Sequence, residues 1–265
     1  MLVNAANITE KKYKKLTVQV AASGMTYSSS DTLEHKILSI DAVDFDGATL
    51  EETLKNTVAF QESYDEVIVL HENNLATFVP TPLFDENYIG SYLQFNTKVF
   101  ETDFFAYDAL STYSMNTVYV LQQHVNEAFE NHFGAVTYKH VHTVLVSKLL
   151  DISKNVDDKR MFVHMSKNHF EIVVLQNQHL LLYNSFDYKT PEDLIYYLLF
   201  TAEQLNMNPE SFKLEFIGEV AENDTYFKIA YKYIRNVSIL DISDLQSNNS
   251  FSTAENLKHF ILFQS

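Results

Sequence analysis

One arrangement of strand and helix signals occurs twice in this chain of 265 residues, and it constrains the fold more than any other feature. In the first copy Leu16-Thr17-Val18-Gln19-Val20 alternates with period two, as a strand with one covered face does. Ser23-Gly24 turns into a second strand over 25–29, and a third follows over 37–40. After Asp46-Gly47, the residues Leu50, Leu54 and Val58 recur at helical spacing and predict an amphipathic helix. Residues 65–70 then read as a buried strand. The second copy starts near Arg160, with strands over 161–163, 170–175 and 180–183 joined by the turns Ser166-Lys167-Asn168 and Gln176-Asn177-Gln178. Its helix has a clear start: Thr190 as N-cap, Pro191 in the first position, and Glu192 and Asp193 at the positive end of the dipole. Leu194, Ile195, Leu198, Leu199 and Leu205 mark one face, Asn208-Pro209 ends the helix, and a strand follows over 214–217.

Three antiparallel strands, a helix and a further strand, repeated roughly 145 residues apart, is the layout of two ribonuclease H-like units in tandem. The expected class is therefore α/β, with two subdomains of mixed sheet flanked by helices. The division falls at 1–155, the first subdomain with helical additions, and 156–265, the second subdomain plus a C-terminal segment. The additions include helices over 85–96 and 125–132; a polar loop over 246–250 precedes a last segment at 254–263.

Charge and composition narrow the partners. Lys and Arg number 19 against 35 Asp and Glu, a formal charge of -16, so nucleic acid and anionic lipid are poor partners. The short basic run Lys11-Lys12-Tyr13-Lys14-Lys15 reads as a gatekeeper ahead of an apolar strand. With no cysteine, thiolate catalysis, disulfides, zinc ribbons and iron–sulfur ligation are excluded. The start, Met1-Leu2-Val3-Asn4-Ala5-Ala6-Asn7, has no signal-peptide character, and the longest apolar run, 194–200, is far short of a membrane span. The expected compartment is the cytoplasm, without membrane insertion. The 20 Phe and 16 Tyr read first as core and boundary residues, with a sticky interaction surface as the functional alternative.

Beyond the pattern, particular residues carry a family resemblance over nearly the whole length. They are Lys15-Leu16-Thr17-Val18-Gln19-Val20 with Gly24, Phe78-Val79-Pro80-Thr81-Pro82-Leu83-Phe84-Asp85, Tyr92-Leu93-Gln94-Phe95-Asn96, and Gln178-His179-Leu180-Leu181-Leu182-Tyr183-Asn184-Ser185-Phe186 running into the Thr190 helix. On these the chain resembles domain of unknown function 3822, an uncharacterised bacterial family. The resemblance implies a divergent actin-like ATPase fold, with a second half similar to the pilus-assembly and secretion-platform branch. The motifs are framework, so they speak to fold more than to chemistry.

An actin-like ATPase lays two hairpin turns over the nucleotide phosphates. Glycines let backbone N–H groups approach the oxygens, and an Asp holds the magnesium shell or the attacking water. By that resemblance, Ala22 stands where the first Asp belongs, in Ala22-Ser23-Gly24-Met25-Thr26, and His164 stands for the second, in His164-Met165-Ser166-Lys167-Asn168. The adenosine-side glycine pair is reduced to Ile217-Gly218-Glu219. Independently of register, no acidic residue lies between Glu10 and Asp31 or between Asp158 and Glu171, which also argues against a two-metal nuclease. The five glycines include no Gly-Gly and no Gly-x-Gly, so neither a P-loop nor a dinucleotide fingerprint can be built.

Other constellations are weaker. His140-Val141-His142 places two imidazoles on one face of a predicted strand but lacks a third ligand at a known spacing, so surface or boundary histidines are expected. Asp41, Asp44 and Asp46 lack the closing Glu of a calcium loop. The expectation is a non-catalytic pseudo-ATPase, without metal or cofactor, acting as an interaction or assembly module for a protein partner. The alternative is a protein that binds a nucleotide or other small ligand in the inter-subdomain cleft without hydrolysis, lined by Ser23, Gly24, Thr26, Ser166, Asn168 and Gly218. An unrelated enzyme using the histidines or acidic clusters is the third possibility.

Overall fold

The computed structural model describes residues 11–45, 49–95, 97–100, 102–245 and 248–265. Asp46-Gly47, Asn96 and Gln246-Ser247 therefore lie outside the described residues, as does the start of the chain. Along the chain, β1 (Lys14–Val20), β2 (Gly24–Asp31) and β3 (Lys36–Asp44) lead through α1 (Leu50–Asn56) to β4 (Glu66–His71). Next come β5 (Ala76–Pro80), α2 (Ile89–Leu93), β6 (Phe104–Leu110), β7 (Met115–Leu121), α3 (Gln123–Phe133) and β8 (Thr137–His140). The remainder runs α4 (Val141–Ile152), β9 (Arg160–Met165), β10 (His169–Gln176), β11 (His179–Asp187), α5 (Pro191–Gln204), β12 (Lys213–Gly218), α6 (Thr225–Tyr233), β13 (Asn236–Ile239), α7 (Thr253–Lys258) and α8 (Phe260–Phe263).

The expected duplication is present. One sheet has the order β3-β2-β1-β4-β8 and the other β11-β10-β9-β12-β13. In each, three strands pair antiparallel and the first of them pairs parallel with the strand after the helix, Val18 opposite Val69 in one and Phe216 opposite Val163 in the other. A parallel pair needs a crossover, which α1 and α5 supply. The fold is α/β, with ribonuclease H-like mixed sheets flanked by helices. By contact the chain gathers into two units, each discontinuous in sequence: β1–β4, α1, α3 and most of β8 form one, whereas 73–121 and the chain from His140 through β13 cluster in the other. Thus α4 and the small antiparallel sheet β5-β7-β6 group with the second five-stranded sheet, although both precede residue 155.

In the first unit the alternation of β1 aims Leu16, Val18 and Val20 into a core with Leu54, Phe60, Val69, Val125 and Phe129. A capping box between Thr49 and Glu52 starts α1. That helix ends at Asn56, two positions before Val58 would complete the predicted stripe. The chain passes into a 3-10 turn at Val58–Gln61, which leaves Val58 80% exposed and buries Phe60 instead. The basic run begins β1, and Lys14 pairs with Glu62 at 2.6 Å.

In the second unit the two faces of the sheet differ in chemistry. Met161, Val163 and Met165 of β9, with Phe170, Ile172 and Val174 of β10, pack under α5 and α6 in a wholly apolar core. The start of α5 is as predicted: Thr190 accepts from Asp193 N–H, the Asp193 side chain accepts from Thr190 N–H, and Pro191 leads the helix. Leu194, Ile195 and Leu198 are buried, joined by Thr201 and Ala202, whereas Leu199 and Leu205 are only partly buried. The alternate residues, among them Phe162, His164, Glu171 and Val173, face the other side, where α4 lies. The predicted helix over 85–96 reduces to a 3-10 turn at Glu86–Tyr88 and the five-residue α2, and the last segment forms the two short helices α7 and α8. Among the described residues no helix is long and apolar enough to cross a membrane.

Candidate functional site

At the first hairpin, β1 ends at Val20 and β2 begins at Gly24, so Ala22 and Ser23 form the exposed tip. The Ser23 carbonyl accepts from Phe45 N–H at 3.0 Å. Gly24 is buried opposite Asp44, and a Cβ there would lie 2.7 Å from the Val43 carbonyl oxygen, so close strand approach alone demands glycine. Thr26 is half-buried on β2, between Gln19 and Ala42.

The second hairpin is closed as the first is, where Ala21 N–H donates to the Gly24 carbonyl at 2.9 Å. Ser166 N–H donates to the His169 carbonyl at 3.0 Å, and the Tyr188 hydroxyl donates to the Ser166 carbonyl at 2.8 Å. Asn168 is exposed and lines an open groove of about 490 Å3 with Asp187, Tyr188, Lys189, Asp193 and Tyr197. Backbone N–H groups of Lys189 and Thr190 hold the Asp193 carboxyl below the usual carboxylate range. An anion entering this groove would therefore meet two carboxylates against one lysine. Gly218, at φ +92°, ends β12 opposite Met165, and Glu219 N–H donates to the Met165 carbonyl at 2.9 Å. Gly218 and Ser166 thus flank Met165, with Asn168 on the far side of the turn.

His164 is buried on β9, directly across from Glu171 on β10. Its Nδ1 lies 2.8 Å from Glu171 Oε2. Two further imidazoles converge on the same carboxylate: His169 Nε2 at 3.1 Å and His142 Nε2 at 3.5 Å from Oε1. The Ser185 hydroxyl adds a contact at 3.5 Å. Burial opposes charge on Glu171, but hydrogen bonds from His142, His164 and His169 outweigh it and hold the carboxyl well below its ordinary range. The network continues through His142 Nδ1 to the Tyr183 hydroxyl at 2.5 Å. Burial and the Glu171 charge push that phenol well above its ordinary range.

His140 and His142 are neither on one strand face nor at the surface. His140 ends β8 and is the N-cap of α4, its Nδ1 accepting from His142 N–H at 3.2 Å, and both rings are buried. Beside them Asp108 of β6 accepts from His140 N–H at 2.8 Å, from the Thr143 hydroxyl at 2.5 Å and from the Tyr119 hydroxyl at 3.2 Å. Among the described residues no group of three or more His, Asp or Glu is placed to hold a metal ion. Asp41 and Asp44 lie on β3, and Asp46 falls outside the described residues.

Sequence reasoning missed Glu171, Tyr183 and Asp108. For Glu171 a signal existed: it is a lone carboxylate in the otherwise apolar run 170–175.

A family model, Protein of unknown function (DUF3822), matches residues 4–237. The chain belongs to this family. No curated protein matches it. Among solved structures it is similar to a protein with actin-like ATPase fold and unknown function from Bacteroides thetaiotaomicron VPI-5482, at 20% identity over 100% of both chains with a TM-score of 0.81. It is also similar to a chain of the PilM-PilN type IV pilus biogenesis complex, at 11% identity over 94% of this chain and 96% of that one, TM-score 0.57. The cytoplasmic domain of EpsL, an inner membrane component of the type II secretion system of Vibrio cholerae, matches at 13% identity over 95% of each chain, TM-score 0.49. At these identities the likeness to the first two shows that this DUF3822 chain has the actin-like ATPase fold.

Proposed function

We propose that this DUF3822 protein is a pseudo-ATPase, keeping the actin-like ATPase fold without its hydrolytic chemistry and serving as an interaction or assembly module for a protein partner. The observation that carries the reading is the His164–Glu171 contact at 2.8 Å. Where the fold's ATPases are expected to aim an acid at a metal-bound water, this chain has an imidazole tied to a buried carboxylate. Ala22, at the corresponding place in the first hairpin, has no side chain that can coordinate anything. Both glycines that survive at the turns are accounted for by strand approach, against the Val43 and Met165 carbonyls. The partner half of the reading is supported by rings on the outer face of the second unit. Tyr196 and Phe200 stack on the exposed side of α5, and Tyr231 is exposed on α6. A chain of similar fold lies in the PilM-PilN type IV pilus biogenesis complex, so the fold is compatible with such use.

The test is magnesium-dependent ATP turnover by the purified chain, expected at the buffer rate. Turnover that His164→Ala or Thr26→Ala abolishes overturns the proposal. Thermal stabilisation by millimolar ATP or ADP without turnover would instead favour the reading in which a nucleotide binds and is not hydrolysed. For the partner, a tagged chain returned to its native cell should retain a stoichiometric protein that Tyr196→Ala with Phe200→Ala loses.

A further inference from the structure

A strand at the edge of a sheet exposes a row of backbone N–H and C=O groups that another strand can pair with. Proteins blunt such edges with charge, proline, bulges or short length. In this chain β3 carries Lys36, Asp41 and Asp44, β8 and β13 are four residues each, and β5 ends in Pro80. On β11 the register shifts opposite Val174 and Leu175, and the Asn184 side chain takes the Ser185 N–H. None of these devices is present on β6. It pairs with β7 in unbroken register from Phe104 to Leu110 and ends its sheet. Its one charged residue, Asp108, is turned to His140 N–H, Thr143 and Tyr119.

The ladder on the far side of β7 determines which groups of β6 are open. Val120 N–H donates to the Leu75 carbonyl at 2.9 Å and Thr81 N–H to the Ser114 carbonyl at 2.8 Å. Hydrogen-bonded pairs recur at every second residue, so Val118 and Asn116 also bond toward β5. The groups of Met115, Thr117, Tyr119 and Leu121 therefore face β6, where they meet Leu110, Asp108, Ala106 and Phe104. That leaves Phe105, Tyr107 and Ala109 with N–H and C=O aimed out of the sheet, and among the described residues no strand pairs with them. The edge is accessible. Tyr107 and Ala109 are exposed, as are Phe104 on the strand and Phe100 before it. An open groove of about 370 Å3, lined in part by Ile89, Val99 and Phe100, reaches the edge at Phe105.

We propose that β6 is a self-association edge, pairing antiparallel with β6 of a second copy about a two-fold axis at Tyr107 and joining their three-stranded sheets into one. The open row is its own complement. Centred on Tyr107, the pairing sets Phe105 opposite Ala109 of the second copy and the two Tyr107 residues opposite each other. Each facing pair exchanges two N–H···O bonds. A large side chain thus meets a small one on either side of a central aromatic pair. On the other face Asp108 lies opposite Ala106 of the second copy, so no carboxylate meets its twin in a chain that carries -16 overall. This edge is a different surface from the α5 rings, and its pairing does not depend on the pseudo-ATPase reading.

The test is sedimentation velocity of the full chain from about 1 to 200 μM, a range suited to weak association, with amide exchange followed residue by residue. A monomer–dimer equilibrium is expected. Amides of Phe105, Tyr107 and Ala109 should gain protection as concentration rises, while those of Ala106 and Asp108, which bond to β7, should not. Ala109→Pro removes an outward N–H that β7 does not use, so it should keep the fold and weaken dimerisation about tenfold or more. Tyr196→Ala with Phe200→Ala should leave the dimer as it is. A native chain that is monomeric throughout overturns the proposal and leaves the edge to an extended segment of another protein. A dimer that Ala109→Pro does not weaken, or that the α5 variant loses, also overturns it. So does a native dimer in which the three edge amides gain no protection, a readout that stands should the proline variant fail to fold.

Discussion

Gly218 approaches Met165 so closely that a Cβ on it would stand 2.2 Å from the Met165 carbonyl oxygen. The contact joins the ends of β12 and β9, and the residue also holds φ at +92°, where an L side chain is strained. Gly218→Ala should therefore cost about 3 kcal/mol or more, combining the strain with the overpacking. Chemical denaturation reads it directly. A loss below about 0.5 kcal/mol, the range of ordinary surface changes, would mean that the approach is not needed.

His71 gives the first unit a measurable pH dependence. Burial lowers its pKa below the ordinary 6.5, although its Nε2 hydrogen-bonds Asn126 at 2.9 Å. The unfolded chain takes up a proton below about 6.5 that the folded chain declines, so stability falls as pH drops through that value. His259, lowered chiefly by burial, adds in the same direction. Melting temperatures between pH 7.5 and 5.5 should fall, and His71→Gln should flatten the slope relative to its own value at pH 7.5. An undiminished slope would remove His71 as the cause.

Glu171 predicts the opposite end of the scale. Its carboxyl is held well below the ordinary 4.5, so its contribution is complete above that value and is lost as pH falls through the lower folded value. Glu171→Gln keeps the shape but turns one acceptor into a donor facing an imidazole. A loss of about 1–3 kcal/mol is expected at pH 6.5. The gap to the native chain should narrow only below 4.5, as urea midpoints at pH 6.5 and pH 3.5 can establish.

Two neighbouring residues after α1 separate pattern from packing. Val58 continues the helical spacing of Leu50 and Leu54 but is exposed, whereas Phe60 is buried beside Tyr27, ring centroids 4.7 Å apart. Val58→Ala should change stability by less than about 0.5 kcal/mol and Phe60→Ala should cost about 3–5 kcal/mol. Comparable losses for the two would restore the longer helix.

On the sheet face that carries α4, Glu215 is buried and receives Arg160 through Nε at 3.0 Å and through Nη2, with Lys213 Nζ at 2.7 Å. Arg160→Met fills the volume but leaves the carboxylate poorly matched, at a cost of about 3 kcal/mol. Arg160→Met with Glu215→Leu should recover most of it, and a double variant no better than the single one would deny the pairing its importance.

Much of the fold was legible because it rests on local rules. Alternation in β1 and β9, the Thr190-Pro191 start of α5 and the repeated strand order follow from side-chain periodicity and capping, which act within a few residues. What failed was decided at a distance. Val58 lost its place when the chain tightened to bury Phe60, and the helix over 85–96 shortened as Leu93 sought the core with Val79 and Val118. His140 and His142 looked like surface residues because nothing near them in sequence names Asp108, Glu171 or Tyr183 as partners. The hairpin residues Ser166, Asn168 and Gly218 were found by pattern, yet Gly218 answers to a carbonyl on the next strand, which a sequence motif does not encode.

The cross-strand seat of His164 also bears on how such a chain can change. An aspartate introduced at 164 would put a second carboxylate against buried Glu171, and one of the two would have to keep its proton. The replacement that looks like a one-step repair therefore lands in a site already owned by the neighbouring strand. Only a chain that had first given up Glu171, and with it the contacts of His142 and His169, could take an ionised acid there. The histidine and the glutamate are thus seated as a pair, and an ionised acid at 164 is accommodated only where residue 171 changes with it.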